Sequence, residues 1–352
     1  MKIALITDTH WGARNDSQVF LDYFSKFHDE LFFPYLEEYG IDTIIHLGDI
    51  VDRRKYINYT TLRRLKDKFI NRCVDMNLDL HVIIGNHDVP YKNTNEINSM
   101  KELFDQHNVK FYDEPETVEF DGIDILLMPW INNSNYAHAV DCMKSTTAPV
   151  MMGHLEISGM MMMRGMANEH GMDMEMFKRF EHVFSGHFHH KNSKDNIHYL
   201  GCPYEITWSD YQDPKGFHIY DTDTREVEFI RNPFSMFHKV YYDDEGKSME
   251  DFTNIDFSEY RDTYVKVVKQ TVNNPYWFDM MLDNLYKHEP INIRIVEDTI
   301  NLGLEDDDVV NEAEDTVTIL SKYIENMSDD VPKKKLDNLM RTLYNEAIHL
   351  EV

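Results

Sequence analysis

The chain has 352 residues, of which 42% are hydrophobic, and its 20 phenylalanines and 20 tyrosines provide material for a large core. The net charge of −28 argues against broad nucleic-acid affinity through a basic face, because such affinity depends on neutralising phosphates. The three cysteines match neither a disulfide framework nor a zinc spacing, and no apolar stretch reaches about 18 residues, so we expect a reduced cytoplasmic protein without a membrane segment.

The chain begins with short runs that are rich in β-branched residues. Lys2–Thr7, Asp42–Leu47 and Leu80–Ile84 fit strands that are buried on both faces. Between them, Val19–Tyr39 and Thr60–Met76 place apolar residues at near-helical spacing. This alternation of strands and helices predicts a layered α/β architecture.

The middle of the chain predicts a further set of short strands. Asp121-Gly122 separates two apolar runs as the turn of a hairpin would. The strands predicted here are Thr117–Phe120, Ile123–Met128, Val150–Gly153, His182–Ser185, Ile197–Leu200, Phe217–Asp221 and Glu226–Ile230. Such a mixed set of strands flanked by helices predicts two packed sheets with helices outside.

Beyond about residue 235 the pattern predicts a separate small α+β unit and then a helical end. Tyr264–Val272 and Ile291–Val296 are predicted strands on either side of a helix at Tyr276–Lys287. An acidic stretch then leads to two amphipathic helices, Thr316–Met327 and Pro332–Leu350. Residues 241–352 carry a net charge of −15, which indicates either a solvated surface or a surface for a basic partner.

Five short motifs bearing histidine or aspartate lie within the first 190 residues, and most of them follow a predicted strand. They are Asp8-Thr9-His10, Gly48-Asp49, Gly85-Asn86-His87-Asp88, Gly153-His154 and Gly186-His187-Phe188-His189. A single motif of this kind is more often structural. Five in order predict oxygen and nitrogen ligands for a pair of divalent ions.

One arrangement of these residues satisfies two ions that share a carboxylate. Asp8, His10, Asp49 and His189 would hold one ion, and Asp49, Asn86, His154 and His187 the other. A hydroxide activated between the ions would then attack phosphorus in line. His87 would be left to stabilise the transition state or protonate the leaving oxygen. Mixed histidine, carboxylate and amide ligands suit manganese, iron or zinc better than calcium.

Other histidines fit structural roles better. His46, His81 and His182 lie inside predicted strands, so we expect them to be packed rather than to bind metal. His190 follows His189 directly, and the alternation of neighbours along an extended segment points it elsewhere.

The five motifs resemble the calcineurin-like metallophosphoesterase superfamily. Met1–Trp11, Gly85–Pro90, Gly186–His189 and the C-terminal helix pair are further similar to the SbcD/Mre-type nucleases of DNA double-strand-break repair, including phage-encoded members. The resemblance implies an α/β (α+β) fold with a four-layer β-sandwich flanked by helices. It also implies a small α+β capping domain and a C-terminal helix hairpin. We expect a nuclease domain at 1–235, a capping and DNA-contact domain at 236–300, an acidic linker at 301–315 and a partner-binding helix hairpin at 316–352.

For function, the resemblance implies a metal-dependent nuclease that degrades duplex DNA ends 3′→5′ and cuts single strands. It implies two divalent ions, first of all Mn²⁺, with Mg²⁺ or Fe²⁺ as alternatives. It also implies a homodimer bound to an SMC-like coiled-coil ATPase of the SbcC type, acting in recombination and repair in the cytoplasm, which is the host's if a phage encodes the chain. Given the net charge, we expect that partner to supply most of the DNA affinity, and residues 316–352 to bind its coiled coil.

One position departs from the family pattern. Archaeal-type members carry a histidine three residues after the bridging aspartate, and this chain has Asp52 there. A phosphate-facing role for that histidine therefore does not carry over. We expect Asp52 and Asp88 to orient neighbouring groups instead.

A basic stretch begins four residues after Asp49. It consists of Arg53, Arg54 and Lys55, and tyrosines are interleaved with it further on. Contact with DNA phosphates is one interpretation, and a solvated surface is the other.

The main alternative function is a phosphoprotein phosphatase or a small-molecule phosphodiesterase of the same superfamily. Gly48–Arg53 resembles the phosphatase signature, but Arg54 stands where that signature has glycine, and Asp88 stands where phosphatases carry glutamate. A non-catalytic scaffold is the second alternative, and the presence of every expected ligand argues against it.

Overall fold

The structure of the protein is a computed structural model that describes residues 1–104, 109–163 and 165–297 and the single positions 324, 333 and 336. Two compact units are distinguished, Met1–Thr299 and Ile300–Val352. The expected linker and helix hairpin fall in the second unit, and apart from those three positions they lie outside the described residues. Among the described residues, no helix combines the length and the apolar character needed to cross a membrane.

The first of two central sheets carries the N-terminal strands. Its strands are β1 Lys2–Ile6, β2 Thr43–His46, β3 Asp79–Ile83, β4 Lys110–Tyr112, β13 Gly216–Asp221 and β14 Val227–Arg231. Their order is β14-β13-β1-β2-β3-β4. Strands β1 to β4 run parallel, whereas β13 is antiparallel to both β1 and β14. The loops that follow β1, β2 and β3 therefore meet at one edge of the sheet.

The second central sheet has the same number of strands. They are β5 Glu116–Phe120, β6 Ile123–Met128, β7 Val150–His154, β10 His182–Gly186, β11 Asn192–Lys194 and β12 Ile197–Tyr199, in the order β11-β12-β10-β7-β6-β5. The hairpin predicted at Asp121-Gly122 joins β5 to β6. A separate two-stranded hairpin pairs β8 Met161–Met163 with β9 Met166–Ala167.

Alternation along the strands builds the expected four layers. Ile3, Leu5 and Ile45 point into the core between the two sheets, where Leu127 and Phe184 of the second sheet meet them. Their neighbours on the opposite faces pack against helices on the outside of each sheet. Because successive side chains of a strand alternate between faces, fully apolar strands bury both faces at once.

Helices surround the two sheets, and those between Gln18 and Asp75 overlap the two predicted amphipathic stretches. The helices are Gln18–Phe27, Phe33–Tyr39, Tyr59–Leu65, Asn71–Asp75, Ser99–Phe104 and Tyr136–Ser145, with short 3₁₀ turns at Met174–Phe177 and Trp208–Asp210. The two stretches predicted as single helices are each interrupted by a π-helical turn, at His28–Phe32 and Lys66–Ile70. Ala13–Asp16 forms a turn in which Arg14, Asn15 and Asp16 all adopt positive φ angles.

A three-stranded parallel sheet follows the sandwich in the chain. It consists of β15 Phe237–Asp243, β16 Tyr264–Thr271 and β17 Asn292–Glu297, with β16 in the centre. Helices Glu250–Thr253 and Pro275–Tyr286 and the 3₁₀ turn Ser258–Tyr260 accompany it. Strand β15 is an addition to the predicted elements. This sheet has a core of its own, centred on Tyr242, Val267 and Leu285.

Candidate metal centre

Seven side chains from both central sheets converge at the edge where the parallel strands end. The loops after β1, β2 and β3 supply Asp8, His10, Asp49 and Asn86, and β7 and the loop after β10 supply His154, His187 and His189. All except His189 are buried. The structure therefore brings together every residue that the sequence predicts as a metal ligand.

The first candidate ligand group is Asp8, His10 and His189, with Asp49 beside it. The Nε2 atoms of His10 and His189 are 3.0 Å apart. The His10 Nε2 atom also lies 3.9 Å from Asp8 Oδ1 and 3.8 Å from Asp49 Oδ2. Two carboxylates and two imidazoles thus lie close enough together to be ligands of one divalent cation.

The second candidate ligand group is Asp49, His154 and His187, with Asn86 beside it. The Asn86 Oδ1 atom is 2.9 Å from both His154 Nε2 and His187 Nδ1. The Asp49 Oδ2 atom is 3.3 Å from His154 Nε2. The same Asp49 oxygen faces both groups, so it would be available to a cation bound in either of them.

The charges at the centre also fit a cation. Burial would lower the pKa of His154, but Asp49 and Asp8 raise it to about 9. Burial would raise the pKa of Asp49, but His154 and the neighbouring histidines hold it well below its usual range. A site that draws a proton onto a buried histidine has excess negative charge, and a divalent ion would neutralise that charge and displace the proton.

Four of the seven residues have backbones in the left-handed region. The φ angles are 53° at Asp8, 41° at His10, 56° at Asp49 and 89° at His187. Aspartate, asparagine and histidine tolerate this region better than most other residues. Each such conformation still costs roughly 1–3 kcal/mol, so the surrounding structure must hold it in place.

Backbone hydrogen bonds between neighbouring loops provide part of that support. The Asp8 N–H donates to the Gly48 carbonyl at 3.0 Å, and the His10 N–H donates to the Asp49 carbonyl at 3.1 Å. Gly48 itself has a φ of 101°, and a Cβ there would lie 2.6 Å from His154 Nδ1 and 2.9 Å from Gly85 Cα. Glycine before Asp49 is therefore required by backbone conformation and by close approach.

Asp88 joins the loop after β2 to the loop after β3 by hydrogen bonds to the backbones of both. Its buried carboxylate accepts hydrogen bonds from the backbone N–H groups of four residues, at distances between 2.8 and 3.3 Å; these are Asp49, Ile50, Val51 and Gly85. A carboxylate with this many backbone donors holds Asp49 and Gly85 in fixed positions. The structure thus places Asp88 behind the ligands rather than among them.

Asp52 and His87 lie on the outer side of the first ligand group. The Asp52 Oδ1 atom is 3.6 Å from His10 Nδ1, the ring nitrogen that faces away from Asp8. The His87 backbone N–H donates to Asp49 Oδ1 at 2.7 Å, and its Nδ1 atom is 2.5 Å from the Asp52 carbonyl oxygen. The His87 ring meets the His10 ring edge-on at 4.9 Å. Carboxylate support behind a ligand histidine is a common way of fixing its ring.

The basic stretch is divided between structural and exposed side chains. The Arg53 guanidinium hydrogen-bonds to the Asn15 side chain and to the Tyr56 hydroxyl, and lies 3.5 Å from Asp16. It therefore holds the turn at Ala13–Asp16 at the rim of the centre. Lys55 is exposed and Arg54 is half-buried.

The structure adds a supporting residue that no sequence motif predicts. Lys215 is buried, and its Nζ atom donates to the His189 carbonyl at 2.8 Å while pairing with Asp210 at 2.7 Å and Asp213 at 2.9 Å. Burial would lower the pKa of Lys215, but Asp210 raises it well above its usual value. Asp213 in turn lies 2.6 Å from His190 Nδ1. The spacing within 210–215 resembles no known ligand pattern, so only the fold reveals this cluster.

Comparisons with known proteins give the family of the chain. Residues 1–191 match the model of the calcineurin-like phosphoesterase family. The chain is 32% identical over 355 residues to Exonuclease subunit 1 of Enterobacteria phage T4, covering 99% of both chains. It is 22% identical over 264 residues to the SbcD component of the SbcCD nuclease from Staphylococcus epidermidis, covering 64% of this chain and 67% of that protein. A solved structure of an archaeal phosphodiesterase aligns with 66% of this chain and 100% of its own, at 17% identity and a TM-score of 0.34.

Proposed function

The chain belongs to the calcineurin-like phosphoesterase family, and we propose from this that it is a metal-dependent DNA nuclease working as one subunit of an ATPase–nuclease complex. The observation that carries the proposal is the shared Asp49 oxygen, which faces both ligand groups. Similarity to a phage exonuclease subunit over nearly the whole chain supports DNA, rather than a phosphoprotein, as the substrate.

We assign the two ions to the two ligand groups. Asp8, His10, Asp49 and His189 would hold one, and Asp49, Asn86, His154 and His187 the other. Mn²⁺ is the proposed metal, because mixed histidine, carboxylate and amide ligands suit it. When bound, such a pair supplies a nucleophile derived from water and stabilises charge that develops on the phosphate.

His87 is the proposed proton-handling residue. The Asp52 carbonyl oxygen can only accept, so His87 Nδ1 carries the hydrogen of that contact. Its Nε2 atom is then the one that can carry a proton to the leaving oxygen of the broken phosphodiester. The hydrogen bond from the His87 backbone N–H to Asp49 Oδ1 holds this residue beside the candidate ligands, and the Asp52 carbonyl orients its ring.

The three-stranded sheet supplies a second proposed DNA contact, besides Arg54 and Lys55. Strand register places Lys239, Lys266 and Arg294 in one row across the sheet. Lys239 Nζ lies 5.0 Å from the Tyr211 ring and Lys266 Nζ lies 4.0 Å from the Trp208 ring. Lys266 is buried against Trp208, so the residues of this row proposed to contact phosphates are Lys239, which is partly exposed, and Arg294, which is exposed. We therefore propose that 236–300 is a capping domain that contacts DNA.

The partner proposal rests on the relatives, two of which are named as subunits of larger nucleases. We propose that this chain forms a homodimer and binds an SMC-like ATPase through residues 316–352, in recombination and double-strand-break repair in the cytoplasm. Supply of DNA affinity by that partner would reconcile a DNA substrate with a net charge of −28.

Digestion of labelled DNA tests the proposed function. With Mn²⁺, the full chain should shorten duplex DNA from its 3′ ends and cut single strands, and addition of the ATPase should increase the rate. A chelator should abolish both reactions. Hydrolysis of phosphoproteins without any cleavage of DNA would favour a phosphatase and would refute the nuclease.

Deletion of residues 316–352 tests the partner proposal separately. The shortened chain should lose association with the ATPase but keep Mn²⁺-dependent hydrolysis of bis-p-nitrophenyl phosphate. Loss of both properties would show that this segment supports the folded nuclease instead.

A further inference from the structure

His46 ends strand β2 and is fully buried behind the metal centre. Its two ring nitrogens contact two different loops. The Gly48 backbone N–H donates to Nδ1 at 3.2 Å, and Nε2 lies 3.0 Å from the Thr9 hydroxyl oxygen. His46 is therefore positioned to connect the loop after β1 with the loop after β2.

The donors in this cluster determine which nitrogen of His46 carries the hydrogen. A backbone N–H can only donate, so Nδ1 accepts from Gly48 and the hydrogen resides on Nε2. The Nε2–H group then donates to the Thr9 oxygen. The Thr9 hydroxyl in turn donates to the Ile50 carbonyl at 3.4 Å. Each donor in this series of hydrogen bonds has one acceptor, so a neutral His46 ring satisfies the Gly48 N–H group and the Thr9 hydroxyl.

The residues at both ends of this bridge adjoin proposed ligands. Thr9 lies between Asp8 and His10, and Gly48 precedes Asp49. Three of the seven proposed ligands are therefore sequence neighbours of a residue that hydrogen-bonds to His46. All three of those ligands have positive φ angles and depend on their surroundings to keep that conformation. A shift of either loop would change the separation between Asp49 and the Asp8–His10 pair.

We propose that His46 is a positioning residue, which sets the separation of the two loops for metal binding without touching a metal itself. The proposal rests on the proposed metal centre and goes beyond it, because it assigns a role to a histidine outside the five motifs. It also predicts that Thr9 and His46 act as a pair.

His81 provides a matched control for ordinary packing. It is a buried histidine in the neighbouring strand β3, and it bonds to the Tyr112 hydroxyl at 2.7 Å and to Asp79 at 3.0 Å. Neither partner adjoins a proposed ligand. Replacement of His81 therefore removes a buried, doubly bonded strand histidine without altering the two loops.

The test uses four variants of the full chain: Thr9→Val, His46→Asn, the double variant and His81→Asn. Thr9→Val removes only a hydroxyl, and His46→Asn keeps an acceptor near Gly48 but cannot reach Thr9. Mn²⁺ binding to the metal-free protein is measured by electron paramagnetic resonance of the free ion. Hydrolysis of bis-p-nitrophenyl phosphate gives kcat and KM, and thermal unfolding gives Tm.

We expect Thr9→Val and His46→Asn each to weaken Mn²⁺ affinity by about tenfold or more and to lower kcat while KM changes little. The Mn²⁺ affinity of the double variant should be no lower than that of whichever single variant binds Mn²⁺ less tightly, because both changes break the same bridge. His81→Asn should lower Tm but keep the Mn²⁺ affinity of the unsubstituted chain.

Two outcomes would overturn the assignment: Mn²⁺ affinity unchanged in Thr9→Val, or effects of the two substitutions that simply add. These differ from failure of the proposed function. A chain that binds Mn²⁺ but cleaves no phosphodiester would refute the nuclease, while the affinities of the variants would still decide the role of His46. A chain that binds no Mn²⁺ would refute both.

Discussion

The two halves of the metal centre come from different sheets and are supported by opposite charges. In the half built on the first sheet, the buried Asp88 carboxylate accepts hydrogen bonds from backbone N–H groups around Asp49. In the half built on the second sheet, the buried Lys215 ammonium donates to the backbone carbonyl of His189. Each loop is thus contacted by a buried charged side chain, a carboxylate where the loop presents N–H groups and an ammonium where it presents a carbonyl. These contacts help to keep the strained backbone conformations of the loops in place.

The halves also differ in what they contribute to the chemistry. The loops of the first sheet carry the shared Asp49 and the proposed proton carrier His87, whereas the second sheet supplies only histidine ligands. This contrast predicts that substitutions in the two halves fail in different ways.

The largest expected effect separates chemistry from metal binding. His87→Ala should lower kcat by about 10²–10⁴-fold while metal content stays unchanged, because His87 handles a proton and is not assigned as a ligand. His189→Ala should instead lose metal, as measured by elemental analysis of the purified protein. Full nuclease activity in His87→Ala would show that His87 does not handle a proton in the reaction, and the proposed chemical difference between the two halves would be wrong.

The support of the second half is tested at Lys215. Lys215→Met leaves Asp210 and Asp213 buried without their cation, so we expect the free energy of unfolding to fall by about 3–5 kcal/mol. Urea unfolding measures this loss. Lys178→Met, at an exposed lysine paired with Glu175, is the control and should unfold like the unsubstituted chain. Equal stability of both variants would show that Lys215 is not a structural ion.

Acid should weaken the support behind the first half. Burial lowers the pKa of His28 from 6.5 to about 4, and its ring packs 5.2 Å from that of Trp11, the neighbour of His10. The unfolded chain therefore binds more protons between these pH values, so stability falls as pH drops through 6.5 and levels off below about 4. The linkage amounts to about 3 kcal/mol at pH 4.

Urea unfolding at several pH values tests this expectation. Substitution of His28 by glutamine, which does not titrate, should reduce the difference in stability between pH 7 and pH 4 by about that amount. An unchanged pH dependence in His28→Gln would assign the acid sensitivity to other groups.

The smallest expected effects concern DNA contacts. Arg54→Ala and Lys55→Ala test the rim of the metal centre, and Lys239→Ala and Arg294→Ala test the three-stranded sheet. Each lost phosphate contact should reduce the slope of log affinity against log salt by about 0.9, uniformly across DNA sequences. The measurement uses the complex with the ATPase. A pair of variants with an unchanged slope would identify a region that does not bind phosphate.

Several structural elements could be predicted because their signals are local. Strands β1, β2 and β3 are rich in β-branched and leucine side chains, are buried on both faces and lead into short polar motifs, so their positions follow from the pattern alone. Strand β15 escapes prediction because His238 and Lys239 interrupt its apolar residues. Lys239 lies near the Tyr211 ring of the neighbouring sandwich, a contact that sequence spacing does not encode.

By itself, the sequence determined the kinds of candidate ligand and their order along the chain, because each motif lies at or just after the end of a strand and the ends of parallel strands meet at one edge. Only the tertiary structure decided that one oxygen of Asp49 faces both ligand groups. It also decided that Lys215 and His46, which lie outside every motif, hydrogen-bond to the loops that carry the candidate ligands. These roles depend on distances of about 3 Å between residues far apart in the chain, and such distances arise only when the two sheets and their loops pack together.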